Sequence, residues 1–175
     1  ASGVGMKFLQ ILPVNDTTSD GSWRDSYPYN ARSVFALHPI YLDPVPWSDK
    51  PFYAEYARRG AQLEALPEMD YEATMRLKFD FLDALYAHCG RSIIRRKDFR
   101  KFCSDNAYWL SPYSRSCASA TLYDRRRTEH FFAFVQYLLH RQLQDVHRHF
   151  RQLRVVLKGD IPIGVSPDSV SVRTF

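Results

Sequence analysis

Residues 153–165 read LRVVLKGDIPIGV, an apolar and β-branched run that turns abruptly polar at Gly159 and Asp160. Pro162 has no backbone N–H to donate, so regular strand pairing should stop close to Asp160. The pattern therefore predicts a strand near residues 153–161 with a carboxylate at its C-terminal end. In α/β barrels, functional groups are found at this end of the strands.

A second stretch, near the other end of the chain, has the same build. Residues 6–14 read MKFLQILPV, contain Pro13, and are followed directly by the polar pair Asn15 and Asp16. We predict a strand here too, and we expect the run at residues 153–157 to lie beside other strands in a mostly parallel sheet. Two strands that both end in polar residues favour one shared pocket at one edge of that sheet.

The composition is that of a globular protein, with 45% hydrophobic and 15% aromatic residues among 175. This is enough apolar material for a sizeable core. A closed (β/α)8 barrel, however, needs about 250 residues, so barrel sequence of this length is only part of a barrel. The residues alone favour an α/β fold with a helical insertion, and a partial (β/α)8 TIM barrel is the fold class that the family resemblance described below implies.

The chain carries a formal net charge of +5, with basic clusters at residues 95–97, 100–101 and 125–127. Such clusters would attract phosphate groups or anionic surfaces. They lie beside helical patterns, where a solvated helix face explains them, and no nucleic-acid recognition motif accompanies them. A basic nucleic-acid-binding domain is therefore an alternative, and nucleic acid is not the partner that we predict.

The cysteines indicate a reducing compartment. Cys89, Cys103 and Cys117 are odd in number and lack the spacing of metal or redox motifs. We interpret them as reduced thiols of a cytoplasmic protein. The sequence contains no signal peptide and no run of about 18 apolar residues, so we predict no membrane partner.

The middle of the chain, residues 52–127, reads as a helical insertion. Tyr53–Leu66 is predicted as a short helix, and Asp70 is a good N-cap for a longer one, Tyr71–Ala87, that ends before Gly90. Asp98–Asn106 is predicted as a further helix that ends ahead of Trp109 and Pro112.

The strongest helical pattern spans residues 129–151, with Thr128 or Asp124 as its N-cap. Its apolar residues recur at three- and four-residue steps and form one stripe. The members of this stripe are Phe131, Phe134, Val135, Leu138, Leu139, Leu143, Val146 and Phe150.

The histidines give no indication of a metal site. His140, His147 and His149 share the long helix, but His147 and His149 point to different faces and no carboxylate completes a ligand set. His38 precedes Pro39 in an apolar segment, where a hydrogen-bonded core histidine is more common than a catalytic one. We therefore predict neither a metal nor a catalytic histidine.

The loop from Asn15 to Asn30 is rich in aromatic and acidic residues and follows the first predicted strand. Aromatic rings can lie against the apolar faces of pyranoses while carboxylates accept hydrogen bonds from sugar hydroxyls. The loop is thus a candidate sugar-binding surface. Its composition fits equally well an ordinary surface loop whose aromatic residues cover the edge of the core.

Four stretches in order resemble the 4-α-glucanotransferases of glycoside hydrolase family 77, also called amylomaltases or disproportionating enzymes. They are FLQILPVNDT at residues 8–17, DSYPY at 25–29, SVFALHP at 33–39 and LKGDIPIGV at 157–165. The resemblance looks strongest to the branch typified by the plant cytosolic enzyme, and DYEATM at residues 70–75 is part of it.

This resemblance implies that residues 1–175 are part of one catalytic barrel domain with strands near 6–14 and 153–161. It implies transfer of α-1,4-glucan segments between maltooligosaccharides, with maltose among the substrates and glucose or another glucan as the acceptor. In such retaining chemistry, one carboxylate forms a covalent glycosyl intermediate, and a second acts first as acid and then as base. It implies no metal or organic cofactor.

The resemblance also assigns candidate site residues. Asp160 matches the aspartate at the floor of the family's sugar site, and Tyr29 matches a tyrosine that packs against the sugar at the cleavage point. Asp25 and Ser26 match flanking positions. The alternatives that we keep are that Asp160 is a strand-end carboxylate that only orients its neighbours and that Tyr29 is a tyrosine at the edge of the core.

The family's catalytic carboxylates are expected downstream of Phe175, so no catalytic residue is assigned within this chain. We therefore expect the isolated chain to be inactive on maltose and maltotriose, and poorly soluble because an open barrel exposes sheet edges. The tail, residues 171–175, departs from the family pattern. A non-catalytic carbohydrate-binding module is the other alternative that we keep.

Overall fold

The structure is a computed structural model that describes residues 3, 5–120, 122–124, 126–167 and 169–174. Arg125 of the third basic cluster, Asp168 and the terminal Phe175 of the tail lie outside the described residues. Two short strands are present, β1 (Phe8–Gln10) and β2 (Val156–Lys158). The α-helices are α1 (Pro51–Glu64), α2 (Tyr71–Leu85), α3 (Arg91–Ile94), α4 (Lys97–Asp105), α5 (Ala107–Ser119), α6 (Glu129–Gln152) and α7 (Val170–Thr174).

The two strands pair in parallel, with Phe8 opposite Val156 and Gln10 opposite Lys158. The parallel direction agrees with the mostly parallel sheet that we predicted, although each strand is only three residues long and the pairing of these two strands with each other was not predicted. The longer strands predicted from the apolar runs were wrong in extent, because each run has a single neighbour to pair with and soon meets a proline. The larger barrel expected from the sequence is not seen among the described residues, which are mostly helical.

The core lies between the helices. In the first half of α6, the predicted stripe is buried: Phe131, Phe134, Val135, Leu138 and Leu139 are all less than one-tenth exposed. Each such side chain contributes about 1.5–3 kcal/mol when it is removed from water. Beyond this half the prediction fails, since Val146 is 44% exposed and the helix leaves the core.

The helix starts follow the predicted caps. The Asp70 carboxylate accepts a hydrogen bond from the backbone N–H of Ala73 at 2.8 Å, at the start of α2. The Thr128 side chain accepts from the N–H of Phe131 at the start of α6, so Thr128 and not Asp124 is the cap. Asp124 instead accepts from the side chain and backbone of Arg126.

The predicted end of the second helix before Gly90 was wrong. The helical path continues through a π-helical turn, Tyr86–Gly90, into α3. A Cβ on Gly90 would overlap the ring of Tyr86, which packs edge-on against Phe131 and Phe134 at centroid distances of 5.4 and 5.1 Å. Gly90 therefore serves close packing of the ring and does not end the helix.

The sequence prediction also missed α5. Pro112 lies inside this helix and removes one of its backbone hydrogen bonds, at a cost of about 3 kcal/mol. Trp109, Leu110 and Tyr113 are each at most 7% exposed, and their burial outweighs that cost. Tertiary packing thus overrides a local signal that argued against helix.

The surface around the sheet is apolar, as the sequence predicted for an unpaired sheet edge. Several large apolar side chains on or next to the two strands are at least one-third exposed. They are Met6, Phe8, Leu9, Leu12, Val156, Ile161 and Ile163. Among the described residues, no helix has the length and apolar character needed to cross a membrane.

Candidate functional site

Tyr29 and Asp160, which are 131 residues apart in the sequence, are joined directly. The Tyr29 hydroxyl donates a hydrogen bond to Oδ2 of Asp160 at 2.8 Å. Asp160 lies two residues beyond β2, as predicted for a carboxylate at the C-terminal end of that strand. The hydrogen bond to Asp160, followed by burial and by the carboxylate charge, raises the pKa of the Tyr29 hydroxyl.

The backbone beyond β2 holds the Tyr29 segment in place. The N–H of Ala31 donates to the carbonyl of Gly164 at 3.3 Å, and the N–H of Ser166 donates to the carbonyl of Ala31 at 3.2 Å. A Cβ on Gly164 would overlap the carbonyl oxygen of Tyr29. Glycine at this position is therefore what allows the two segments to approach closely enough for the Tyr29–Asp160 bond.

Asp160 keeps hydrogen-bonding capacity for a ligand. Its Oδ1 accepts from the backbone N–H of Ile161 at 2.9 Å, and its Oδ2 accepts from Tyr29. A carboxylate has about four acceptor positions, so two remain. The Tyr27 ring lies 5.7 Å from the Tyr29 ring, which extends the aromatic surface beside the carboxylate. The pair is chemically suited to hold a neutral polyhydroxylated ligand.

Asp25 organises the loop that carries this surface. It is 2% exposed, and its carboxylate accepts hydrogen bonds from the N–H groups of Ser19, Asp20 and Gly21 and from the Ser19 hydroxyl, at 2.7–3.2 Å. Sequence reasoning gave no sign of this role, because it depends on the local turn that aims three N–H groups at one carboxylate.

Ser26 is exposed at the end of a 3-10 turn, Trp23–Ser26. Asp25 and Ser26 line a small cavity of about 280 Å³, whose walls also include Tyr41 and Tyr71. Neither Tyr29 nor Asp160 lines this cavity. The four predicted site residues thus form two groups, of which only Tyr29 and Asp160 are in direct contact.

A buried polar network that the sequence did not reveal fixes the start of the loop. Asp16 is fully buried and accepts hydrogen bonds from the Tyr113 hydroxyl at 2.7 Å and from the N–H and hydroxyl of Thr18 at 3.0 and 2.6 Å. Burial, together with the Asp16 charge, raises the pKa of Tyr113 well above its ordinary value. The network connects the loop to α5. Its one local sign in the sequence is that Asp16, a carboxylate, closely follows the apolar run at residues 6–14.

His38 is a hydrogen-bonded core residue, as predicted. Its Nδ1 accepts from the N–H of Ile40 at 3.1 Å, and its Nε2 lies 2.9 Å from the Tyr71 hydroxyl. Because Nδ1 accepts, Nε2 carries the proton and donates to Tyr71. Burial lowers the pKa of His38. Among the described residues, no group of histidine, cysteine and carboxylate side chains is arranged to hold a metal ion.

Comparison with known proteins places the chain in a class of glycoside hydrolases. Its sequence matches the family model of the 4-alpha-glucanotransferases, glycoside hydrolase family 77, over residues 1–130 and 118–174. The chain therefore belongs to this family. The resemblance noted in the sequence is thereby confirmed.

Relatives share between one-quarter and one-third of their aligned residues with this chain. It is 32% identical over 204 residues to 4-alpha-glucanotransferase DPE2 of Oryza sativa subsp. japonica, covering 98% of this chain and 21% of the relative. It is 31% identical over 195 residues to the 4-alpha-glucanotransferase of Chlamydia caviae, with coverages of 96% and 36%. For the Aquifex aeolicus enzyme the identity is 24% over 194 residues, with coverages of 97% and 38%.

The chain therefore spans about one-fifth to two-fifths of the length of these relatives. The alignments also contain more positions than the 175 residues of this chain, so the relatives have residues without a counterpart here. The two family matches overlap at residues 118–130.

Proposed function

We propose that the whole protein is a 4-α-glucanotransferase that transfers α-1,4-glucan segments between maltooligosaccharides, and that this chain supplies part of the wall that binds the sugar. The observation that carries the proposal is the hydrogen bond between Tyr29 and Asp160 at the C-terminal end of β2. Membership of the family and the names of the relatives support the reaction.

Tyr29 and Asp160 have complementary tasks in this proposal. The Tyr29 ring lies against the apolar face of a glucose unit, while the free acceptor positions of Asp160 receive sugar hydroxyls. Their mutual hydrogen bond holds both side chains in one orientation before the glucan arrives, which reduces the ordering cost of binding. Asp25 and Ser26 do not contact this pair. Asp25 holds the loop in shape, and both residues line the neighbouring cavity.

The reaction itself is assigned to residues outside this chain. We propose a retaining mechanism, in which a carboxylate attacks the anomeric carbon while a carboxylic acid protonates the glycosidic oxygen, which leaves as a 4-hydroxyl. The carboxylate formed from that acid then deprotonates the acceptor's 4-hydroxyl, whose oxygen displaces the first carboxylate from the anomeric carbon. Both belong to later strands of a (β/α)8 barrel, to which β1 and β2 contribute neighbouring strands. The exposed apolar side chains around the sheet support a barrel that continues beyond the described pair.

The cysteines support the cellular location that we propose. Cys89, Cys103 and Cys117 are free thiols, which supports a reducing, cytoplasmic location. We propose that the glucans are those of starch or glycogen breakdown, with maltose as donor and glucose or a longer glucan as acceptor.

Titration with maltoheptaose tests the sugar-binding pair. Tyr29→Phe keeps the ring and removes the bond to Asp160, and we expect up to about tenfold weaker binding, since the glucan must then order side chains that the bond held in place, at about 0.5–1.5 kcal/mol for each. Tyr29→Ala should weaken binding further. Tyr108→Ala, at an exposed tyrosine on α5, is the matched control and should bind like the unchanged chain.

Equal affinity of the Tyr29→Ala chain and the unchanged chain would refute the assignment of Tyr29. Incubation of the same samples with maltotriose separates binding from catalysis. We expect no glucose release from the 175-residue chain, and measurable release would contradict our placement of the catalytic carboxylates outside it. Saturable binding without transfer is expected both for part of a transferase sugar site and for a carbohydrate-binding module. Glucan transfer by a longer protein that contains this chain would favour the transferase site.

A further inference from the structure

A polar groove of about 540 Å³ lies between Arg32, the C-terminal half of α5 and α7. Three arginines line it, Arg32, Arg115 and Arg173, and most of the remaining wall carries serine or threonine hydroxyls. Among the described residues, no aspartate or glutamate contributes to the lining. Neither Tyr29 nor Asp160 does so either, and the groove takes no part in the sugar site proposed above.

Arg32 is the informative side chain of this groove. It is half-buried, and its two Nη atoms donate to the carbonyl of Thr18 at 3.1 Å and to the hydroxyl of Ser116 at 2.9 Å. Its guanidinium also lies 6.0 Å from the centre of the Tyr123 ring. A guanidinium has five N–H groups, so these contacts leave donors available.

No carboxylate of a described residue lies within ion-pair distance of Arg32, although surface arginines such as Arg126 and Arg141 have such partners. The buried carboxylate of Asp16 is occupied by Tyr113 and Thr18. Burial disfavours the charged guanidinium of Arg32, and although nearby groups, Asp16 among them, raise its pKa overall, no direct ion pair with a described residue replaces the water that it has lost. An anion entering the groove would offset that cost.

The walls suit an anion with several acceptor oxygens. The Ser116 hydroxyl accepts from Arg32, so its own proton is available for donation to a ligand. Ser119 lies one helical turn further along α5 and lines the groove as well. Arg115 adds positive charge at the rim, where its contact with Glu129 is loose, at 3.7 Å, and solvent-exposed.

From this geometry we propose that the groove binds a phosphate group, either as inorganic phosphate or as the phosphate monoester of a sugar. A planar guanidinium pairs with two oxygens of one phosphate, and neighbouring hydroxyls donate to the others. The volume exceeds that of phosphate alone and accommodates an attached monosaccharide.

Calorimetric titration of the chain with inorganic phosphate, glucose 6-phosphate and glucose tests the proposal. We expect saturable binding of the two phosphate compounds and none of glucose at this site. Tighter binding of glucose 6-phosphate than of phosphate identifies a sugar phosphate as the ligand, and equal binding identifies free phosphate.

Two variants assign the site, with Arg100→Gln at an exposed position of α4 as their control. Arg32→Gln should weaken phosphate binding by about tenfold or more, the effect of losing one charge-assisted pair. Ser119→Asp leaves the contacts of Arg32 intact and places a negative charge in the lining, so it should have the same effect even if Arg32→Gln does not fold. The proposal is overturned if the unchanged chain shows no saturable binding up to about 10 mM phosphate, or if Ser119→Asp binds like Arg100→Gln.

Discussion

The buried side chain of Lys78 makes the stability of the fold depend on pH. It is 5% exposed on α2, and its Nζ donates to the carbonyl of Leu42 at 2.7 Å and lies 5.5 Å from the centre of the Tyr56 ring. Burial lowers the pKa of Lys78 from 10.5 to about 8, against a smaller opposing effect of Asp43. The folded chain therefore releases this proton at a lower pH than the unfolded chain does.

This difference predicts how stability changes with pH. Between pH 8 and 10.5, the unfolded state binds the Lys78 proton more than the folded state does, so this residue's contribution to the free energy of unfolding rises with pH. The contribution is complete above 10.5 and is lost as the pH falls to 8. The slope approaches about 1.4 kcal/mol per pH unit in the middle of the window.

Urea unfolding of the unchanged chain and of Lys78→Met at several pH values measures this slope as a difference. The comparison is necessary because burial raises the pKa of other groups, among them Cys117 to about 12, and the ionisation of those groups in the unfolded chain lowers stability above pH 9. Lys101→Met, at an exposed lysine of α4, is the control and should keep the slope. Parallel stability curves for the unchanged chain and Lys78→Met would contradict the prediction.

Gly164 offers a second residue-scale prediction. Gly164→Ala should push the Tyr29 segment away from the strand end, because the new Cβ meets a backbone carbonyl that cannot rotate aside as a side chain does. We expect a loss of about 1–3 kcal/mol in unfolding free energy, typical of overpacking, and weaker maltoheptaose binding. Gly159→Ala is the matched control, since a Cβ there meets nothing within 4 Å. Indistinguishable affinities and midpoints for the two variants would show that the close approach does not position Tyr29.

At the scale of elements, the start of α2 depends on one carboxylate. Asp70→Ala removes the acceptor for the N–H of Ala73 and should lower the free energy of unfolding by about 1 kcal/mol. Asp70→Asn keeps an acceptor and should cost much less. Thermal unfolding of both variants separates the cap from the charge, and equal losses would mean that the charge alone matters.

The elements also show what a sequence can and cannot predict. The helices α2 and α6 were predicted because their apolar periodicity is long and their caps are strong. By contrast, α5 was missed since Pro112 outweighed an apolar pattern whose value depends on partners elsewhere in the chain. The family resemblance assigned Tyr29 and Asp160 to one sugar site but did not predict their direct contact, because no local property of either residue records a neighbour 131 positions away.

At the scale of the whole molecule, the exposed apolar surface around the sheet predicts self-association. Ile161 and Ile163 are 74% and 87% exposed beside a strand with an unpaired edge. Replacing both with lysine should increase the monomer fraction in sedimentation experiments with little loss of stability, since neither is buried. Leu66→Lys, at an apolar residue after α1, is the control and should leave association unchanged. A concentration-independent monomer for the unchanged chain would refute this prediction.

The parallel pairing of β1 with β2 has a consequence for biosynthesis. A ribosome releases β1 and Tyr29 before their partners β2 and Asp160, which emerge only after more than a hundred further residues. Until then, β1 and the Tyr29 hydroxyl lack these partners, while the intervening helices are already able to form. The nascent chain is therefore exposed to misassociation during the interval between the two strands, and a chaperone that shields the first segment would act then.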